Sequence, residues 1–196
     1  DMLQFITRKN ERYGIEEQVK MVLEGGCKWI ELDMNDATAE EVKAIIENLI
    51  PLCKEADAIL VVDDYVDIVK EMEVTGLRLI KDSKNVGEVR NILEGGPIIG
   101  VNVSTAGDIY ALKGIDVDYV TIEINEPHSL DSIYKIVSEV REAGINMPIV
   151  AIGEITIENI KEVIATGVNG VAMSDAIVNA ENPTEYTKKI LSILYK

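Results

Sequence analysis

The feature that most narrows what this chain can fold into is a rhythm. Short apolar, β-branched runs alternate with amphipathic stretches from one end to the other. The runs are Leu3–Thr7, Trp29–Leu32, Ala58–Val62, Leu77–Ile80, Ile98–Val103, Tyr119–Ile124, Pro148–Ile152 and Gly170–Met173. Segments of helical period lie between several of them, at Ile15–Glu24, Thr38–Cys53, Ser129–Ala143 and Thr156–Thr166. Such alternation makes a parallel α/β protein, and eight strands is the number that closes a (β/α)8 TIM barrel. An open doubly wound sheet, the runner-up, normally uses about five or six. Thr38 and Thr156 each precede a first turn containing Glu and are expected to cap their helices. Glycines such as Gly25, Gly76, Gly114, Gly144 and Gly167 fall where a helix must turn into the next strand. No linker or low-complexity stretch divides the chain, so residues 1–196 are expected to form a single TIM-barrel domain.

With 196 residues, 47% of them hydrophobic, the chain can bury one substantial core. No apolar run approaches the ~20 residues that span a bilayer, and the first residues lack a signal-peptide pattern. A cytoplasmic protein is expected, with Met2 as its natural start. Cys27 and Cys53 form neither a CxxC pair nor a metal-spaced cluster and are read as reduced thiols packed like small apolar groups. Against 19 Lys and Arg stand 35 Asp and Glu, a net charge of −16. No basic run tracks a phosphate backbone, so neither nucleic acid nor an anionic membrane is an expected partner.

In a barrel, residues at the C-terminal ends of the strands form the site, and the opposite turns serve stability. The rim so defined is rich in acid: Glu31 on the second run and Asp33 after it, Asp63 and Asp64 after the third, Asp82 after the fourth, Glu123 on the sixth, Glu154 after the seventh and Asp175 after the eighth. Arg8, Lys9, Arg12, Arg78 and Lys81 are the positive charges placed near this mouth. The lone histidine, His128, falls after the sixth run and reads first as polar surface. A small-molecule ligand at this mouth is the expected partner, and a homo-oligomer is compatible with the sequence.

The stretches LEGGCKWIELDMND, ILVVDDYVDIV, GLRLIKDS, PIIGVNVST, DYVTIEI, MPIVAIGEIT and GVNGVAMSDAI follow one another at nearly the spacing of landmarks in the thiamine phosphate synthase family, which includes the TenI thiazole tautomerases. The resemblance covers nearly the whole chain. It implies a barrel that joins hydroxymethylpyrimidine diphosphate to thiazole phosphate and releases pyrophosphate, with a magnesium ion and basic side chains holding the anionic groups. By this resemblance Glu31, Asp33 and Asn35 match positions where the family has a pyrimidine-contacting Gln and diphosphate-holding Arg and Lys. Asp64, with Asp63 and Asp82 nearby, matches the magnesium site, and Ser83 falls where the family has its second metal Asp. Gly153 and Glu154 match the Gly-Gly pair at the thiazole phosphate, and Ser174 matches a retained serine. Asn102, at the end of the fifth run, completes the substrate-binding set.

Two cationic contacts are thus an anion and an amide here. At about 4 Å, exchanging attraction for repulsion shifts an interaction by several kcal/mol even at an effective dielectric near 20. The leading expectation is a divergent member of thiamine metabolism in which this loss puts the family reaction in doubt. The alternatives are an active synthase with rearranged contacts and a catalytically silent barrel that binds a cation, a small molecule or a partner.

Overall fold

The structure is a computed structural model and describes residues 2–81, 85–124 and 129–196. Eight parallel strands close into one barrel in sequence order, β1 pairing with both β2 and β8. They are β1 (Leu3–Ile6), β2 (Trp29–Leu32), β3 (Ile59–Asp63), β4 (Gly76–Leu79), β5 (Ile98–Asn102), β6 (Tyr119–Glu123), β7 (Ile149–Ile152) and β8 (Gly170–Met173). The helices outside them are α1 (Ile15–Glu24), α2 (Ala39–Glu55), α3 (Val66–Glu71), α4 (Val86–Leu93), α5 (Ala106–Tyr110), α6 (Leu130–Glu142), α7 (Ile160–Ile164), α8 (Asp175–Val178) and α9 (Pro183–Leu194).

Because successive side chains of a strand point to opposite faces, the apolar residues divide into two cores. Outward side chains such as Leu3, Phe5, Ile30, Leu32, Leu77 and Leu79 pack under the helices in one large cluster. Inward side chains form a smaller cluster inside the bore, with Ile6, Trp29, Val61, Tyr119, Val150 and Ala172 at its centre. Trp29 and Tyr119 meet there edge to face, their ring centroids 5.3 Å apart. Gly100 makes room for the Tyr119 ring, because a Cβ at that position would overlap it.

Helix starts follow the sequence signals. Thr38 accepts from the Glu41 amide while the Glu41 side chain accepts from the Thr38 amide, a complete capping box on α2. At α7 the regular helix begins at Ile160, later than the expected segment, yet Thr156 still starts the turn. The Thr156 amide donates to Asn159 Oδ1 at 2.8 Å, and the Ile160 amide donates to the Thr156 carbonyl at 3.0 Å. Cys27 and Cys53 are both free and buried, and burial pushes each thiol up to about 11. No helix among the described residues is long and apolar enough to cross a membrane.

Candidate functional site

Strand register sends one set of polar side chains inward below the rim. Asp63 pairs with Arg78, Arg78 with Gly100 and Asn102 with Thr121 across neighbouring strands, so Asp63, Arg78, Asn102 and Thr121 share the inner face. Glu31 pairs with Val61, a bore residue, and points the same way. Both carboxylates are 0% exposed. The Arg78 Nε lies 2.7 Å from Glu31 Oε2, an ion pair whose N–H is not aimed at that oxygen, and 3.4 Å from Asp63 Oδ1, to which it donates. Arg78 Nη1 donates to Thr121 Oγ1 at 2.9 Å, and Thr121 Oγ1 donates to Asn102 Oδ1 at 2.9 Å. Burial, then the nearby Glu31 charge, push the Asp63 carboxyl well above the usual carboxylate range, with Arg78 offsetting part of the rise. Burial works against the Arg78 charge, but Glu31 and Asp63 more than compensate and raise its pKa. With two carboxyls facing one guanidinium in a closed bore, Asp63 is the one held towards its protonated form.

Above this layer the mouth holds two clefts, one on each side of the loop after β1. The first, of about 570 Å³, lies over β7 and β8 and is lined by Glu123, Gly153, Glu154, Ser174 and Asp175, among others. The second, of about 490 Å³, lies over β1 and β2 and is lined by Lys9, Tyr13, Asp33, Asn35 and Asp36, among others. Arg8 lines both. Its Nε donates to Ser174 Oγ at 3.0 Å and lies 3.5 Å from Asp175 Oδ1. Its backbone is held by the buried Gln18, whose Oε1 accepts from the Arg8 amide at 3.0 Å and whose Nε2 donates to the Arg8 carbonyl at 2.6 Å. Across the second cleft, Asn35 Nδ2 donates to Asp33 Oδ1 at 2.9 Å, and the Asp33 amide donates to Thr7 Oγ1 at 3.1 Å.

Asp64 does not cap the helix that follows it. Held at φ 64°, it turns back, and its Oδ1 accepts from the amides of Ile80 at 2.8 Å and Lys81 at 3.3 Å, fastening the loop after β4. Its Oδ2 is buried without a partner. Magnesium is usually held by one or two carboxylates, completed by substrate phosphates and water, so this unengaged oxygen fits a single protein ligand. Asp63 does not fit that role, because it lies in the bore against Arg78. Among the described residues, no group of three or more His, Cys, Asp or Glu side chains could hold a metal by itself.

The expected site residues therefore separate into two levels. Asp33, Asn35, Gly153, Ser174, Glu123 and Asp175 line the clefts, and Asn102 lies half-buried at the end of β5. Glu31 and Asp63, expected among the rim carboxylates, lie sealed inside the bore, and Arg78 with them. Arg12 turns outward, donating to the Ala180 carbonyl and resting on the Tyr13 ring. Asp82, Ser83 and His128 lie outside the described residues. Three contributors were not singled out from sequence: Gln18, Thr7 and Thr121. Thr121 and Arg78 carry a readable signal, because each is a polar residue between apolar neighbours that face the helices.

Sequence comparison agrees with this architecture. Residues 3–177 match the family profile described as "Thiamine monophosphate synthase". A thiamine-phosphate synthase of Bacteroides fragilis is 42% identical, covering 97% of this chain and 98% of the relative. One of Bacteroides thetaiotaomicron is 41% identical, covering 97% and 96%. Among solved structures, a thiamine phosphate pyrophosphorylase from Pyrococcus furiosus superposes with a TM-score of 0.86 at 28% identity, covering 99% of this chain and 95% of that one. A closed eight-stranded barrel, clefts at its C-terminal mouth and near-complete coverage by these relatives agree: the chain belongs to the thiamine monophosphate synthase family.

Proposed function

We propose that the chain is a working transferase of thiamine biosynthesis that joins hydroxymethylpyrimidine diphosphate to thiazole phosphate at the barrel mouth, with release of pyrophosphate. The observation that carries this proposal is the pair of adjoining clefts that meet at Arg8. Joining two molecules requires both to be held side by side, and placement alone supplies a large part of such a rate enhancement. The relatives' names and coverage support the same activity. The acidic replacements weigh less against it than their charges suggest. Glu31 is turned away from the clefts and compensated by Arg78, and one Asp33 oxygen is already engaged by Asn35. This favours an active synthase with rearranged contacts over a barrel that has lost the reaction.

Asp64 is the residue that would hold a magnesium ion, which would neutralise the diphosphate and favour its departure. Asn102, its carbonyl engaged by Thr121, keeps its amide N–H groups for a ligand. Gly153, without a Cβ, leaves its backbone open to close approach, and Ser174 orients Arg8.

A second proposal is favoured by one observation: the Glu31–Arg78–Asp63 cluster fills the bore under the mouth, which would leave a shallower, acidic site that binds without turnover. Pyrophosphate release from both substrates and magnesium, together with growth of an auxotroph lacking its synthase, decides between them. Release and growth are expected. Ligand binding without either would favour the second.

A further inference from the structure

We infer that Arg8 is a prearranged anion-binding residue of this mouth and that Asp175 is its built-in competitor. The inference rests on the synthase proposal for the identity of the ligand, but not for the role of the arginine.

An exposed arginine normally wanders, and fixing one costs side-chain entropy that a surface ion pair seldom recovers. Arg8 is fixed at both ends. The side chain of Gln18, itself 1% exposed, grips its backbone amide and carbonyl together, and the buried Ser174 takes its Nε–H. Gln18 Nε2 also donates to the Tyr13 carbonyl at 3.0 Å, so the whole loop after β1 is gathered onto one buried side chain. Among the described residues, neither Nη of Arg8 has a hydrogen-bond partner, and Arg8 lines both clefts. A guanidinium with its Nε engaged presents the two Nη groups as a planar fork that suits the paired oxygens of a phosphate.

Arg8 stands at this junction where Asp33 and Asn35 offer no positive charge. Among the described residues, the nearest opposing charge is Asp175 Oδ1, 3.5 Å from Nε, and its side chain is largely exposed. An incoming phosphate or diphosphate ester would take the fork and weaken that contact. Asp175 thereby tunes affinity in one direction: removing its charge tightens anion binding, whereas removing Arg8 weakens it. A residue that merely fastened the loop would predict no gain from any change at 175.

Calorimetry with inorganic phosphate and inorganic pyrophosphate at fixed ionic strength tests this without relying on turnover. Arg8→Ala is expected to weaken the better-bound anion by roughly 10- to 100-fold, the worth of lost charge-assisted hydrogen bonds. Arg8→Lys should recover only part, since an ammonium keeps the charge without the fork. Asp175→Asn should tighten binding. Preference for pyrophosphate would assign the fork to a diphosphate ester, and equal or better binding of phosphate to a monoester. In turnover, Arg8→Ala should raise KM for a phosphorylated substrate far more than it lowers kcat. Arg8-dependent binding by a protein without turnover would support this inference while removing the synthase proposal. Binding of neither anion by the wild type, unchanged binding in Arg8→Ala, or weaker binding in Asp175→Asn would overturn it.

Discussion

At Arg78 a single guanidinium faces two carboxylates that water does not reach, and the arithmetic of charge there governs what substitutions do. Arg78→Met leaves Glu31 and Asp63 together with no counter-charge, and should lower stability by about 3–5 kcal/mol in urea unfolding. Glu31→Gln should cost far less, because Asp63 still balances Arg78. The raised Asp63 carboxyl gives this cluster a pH signature. The folded chain holds that proton more tightly than the unfolded chain, so the contribution to stability is full below about pH 4, the unfolded range. It is lost as pH rises through the elevated folded value. The urea midpoint should therefore fall from acid towards neutral pH, and Asp63→Asn should flatten that fall; an unaltered slope would mean that Asp63 is ionised throughout. Sequence placed Glu31, Asp63 and Arg78 correctly at strand ends but at the mouth rather than beneath it. The stagger between strands decides whether the last inward residue clears the rim, and stagger is a property of the closed barrel rather than of any one strand.

Elements were more legible than sites, for a physical reason visible in particular cases. α1, β2 and β8 have the bounds that their sequence pattern predicts, because each run is bounded on both sides by glycine or a polar residue. α7 is shorter than its pattern, since Thr156 and Asn159 use their side chains to form the opening turn before regular helix begins. β5 shows a constraint that pattern alone does not carry. Gly100 lies mid-strand, where glycine ordinarily weakens a sheet, and its reason is the Tyr119 ring pressed against it from β6. Gly100→Ala should destabilise the barrel by about 1–3 kcal/mol as the ring is driven from its place, and Tyr119→Leu in the same chain should recover part of that loss. Thermal unfolding of the single and double variants measures both. Additive losses would show that the two residues do not share the space.

At the scale of the molecule, 35 acidic against 19 basic side chains give a compact body that repels itself. Raising a non-denaturing salt from about 0.01 M to about 1 M shortens the screening length from about 30 Å to about 3 Å, and the melting temperature should climb across that range. A flat response would mean that the surface carboxylates are already balanced locally, as Lys43 is with Glu71 at 2.7 Å. The fold was legible because its pattern is repeated eight times, and the family because its landmarks are spread along nearly the whole chain. The ligand contacts were not, because each depends on one rotamer at one rim.

The bore cluster also bears on how such a chain can drift. Its three ionisable side chains lie on β2, β3 and β4, and the orders in which they could be replaced differ in cost. A lineage could exchange Glu31 for an amide first and keep a balanced pair, or Asp63 first and do the same. Discarding Arg78 before both carboxylates had gone would be the costliest step of the three. Ancestral routes into and out of this arrangement are therefore directional, and the arginine should be the first of the three to arrive and the last to leave.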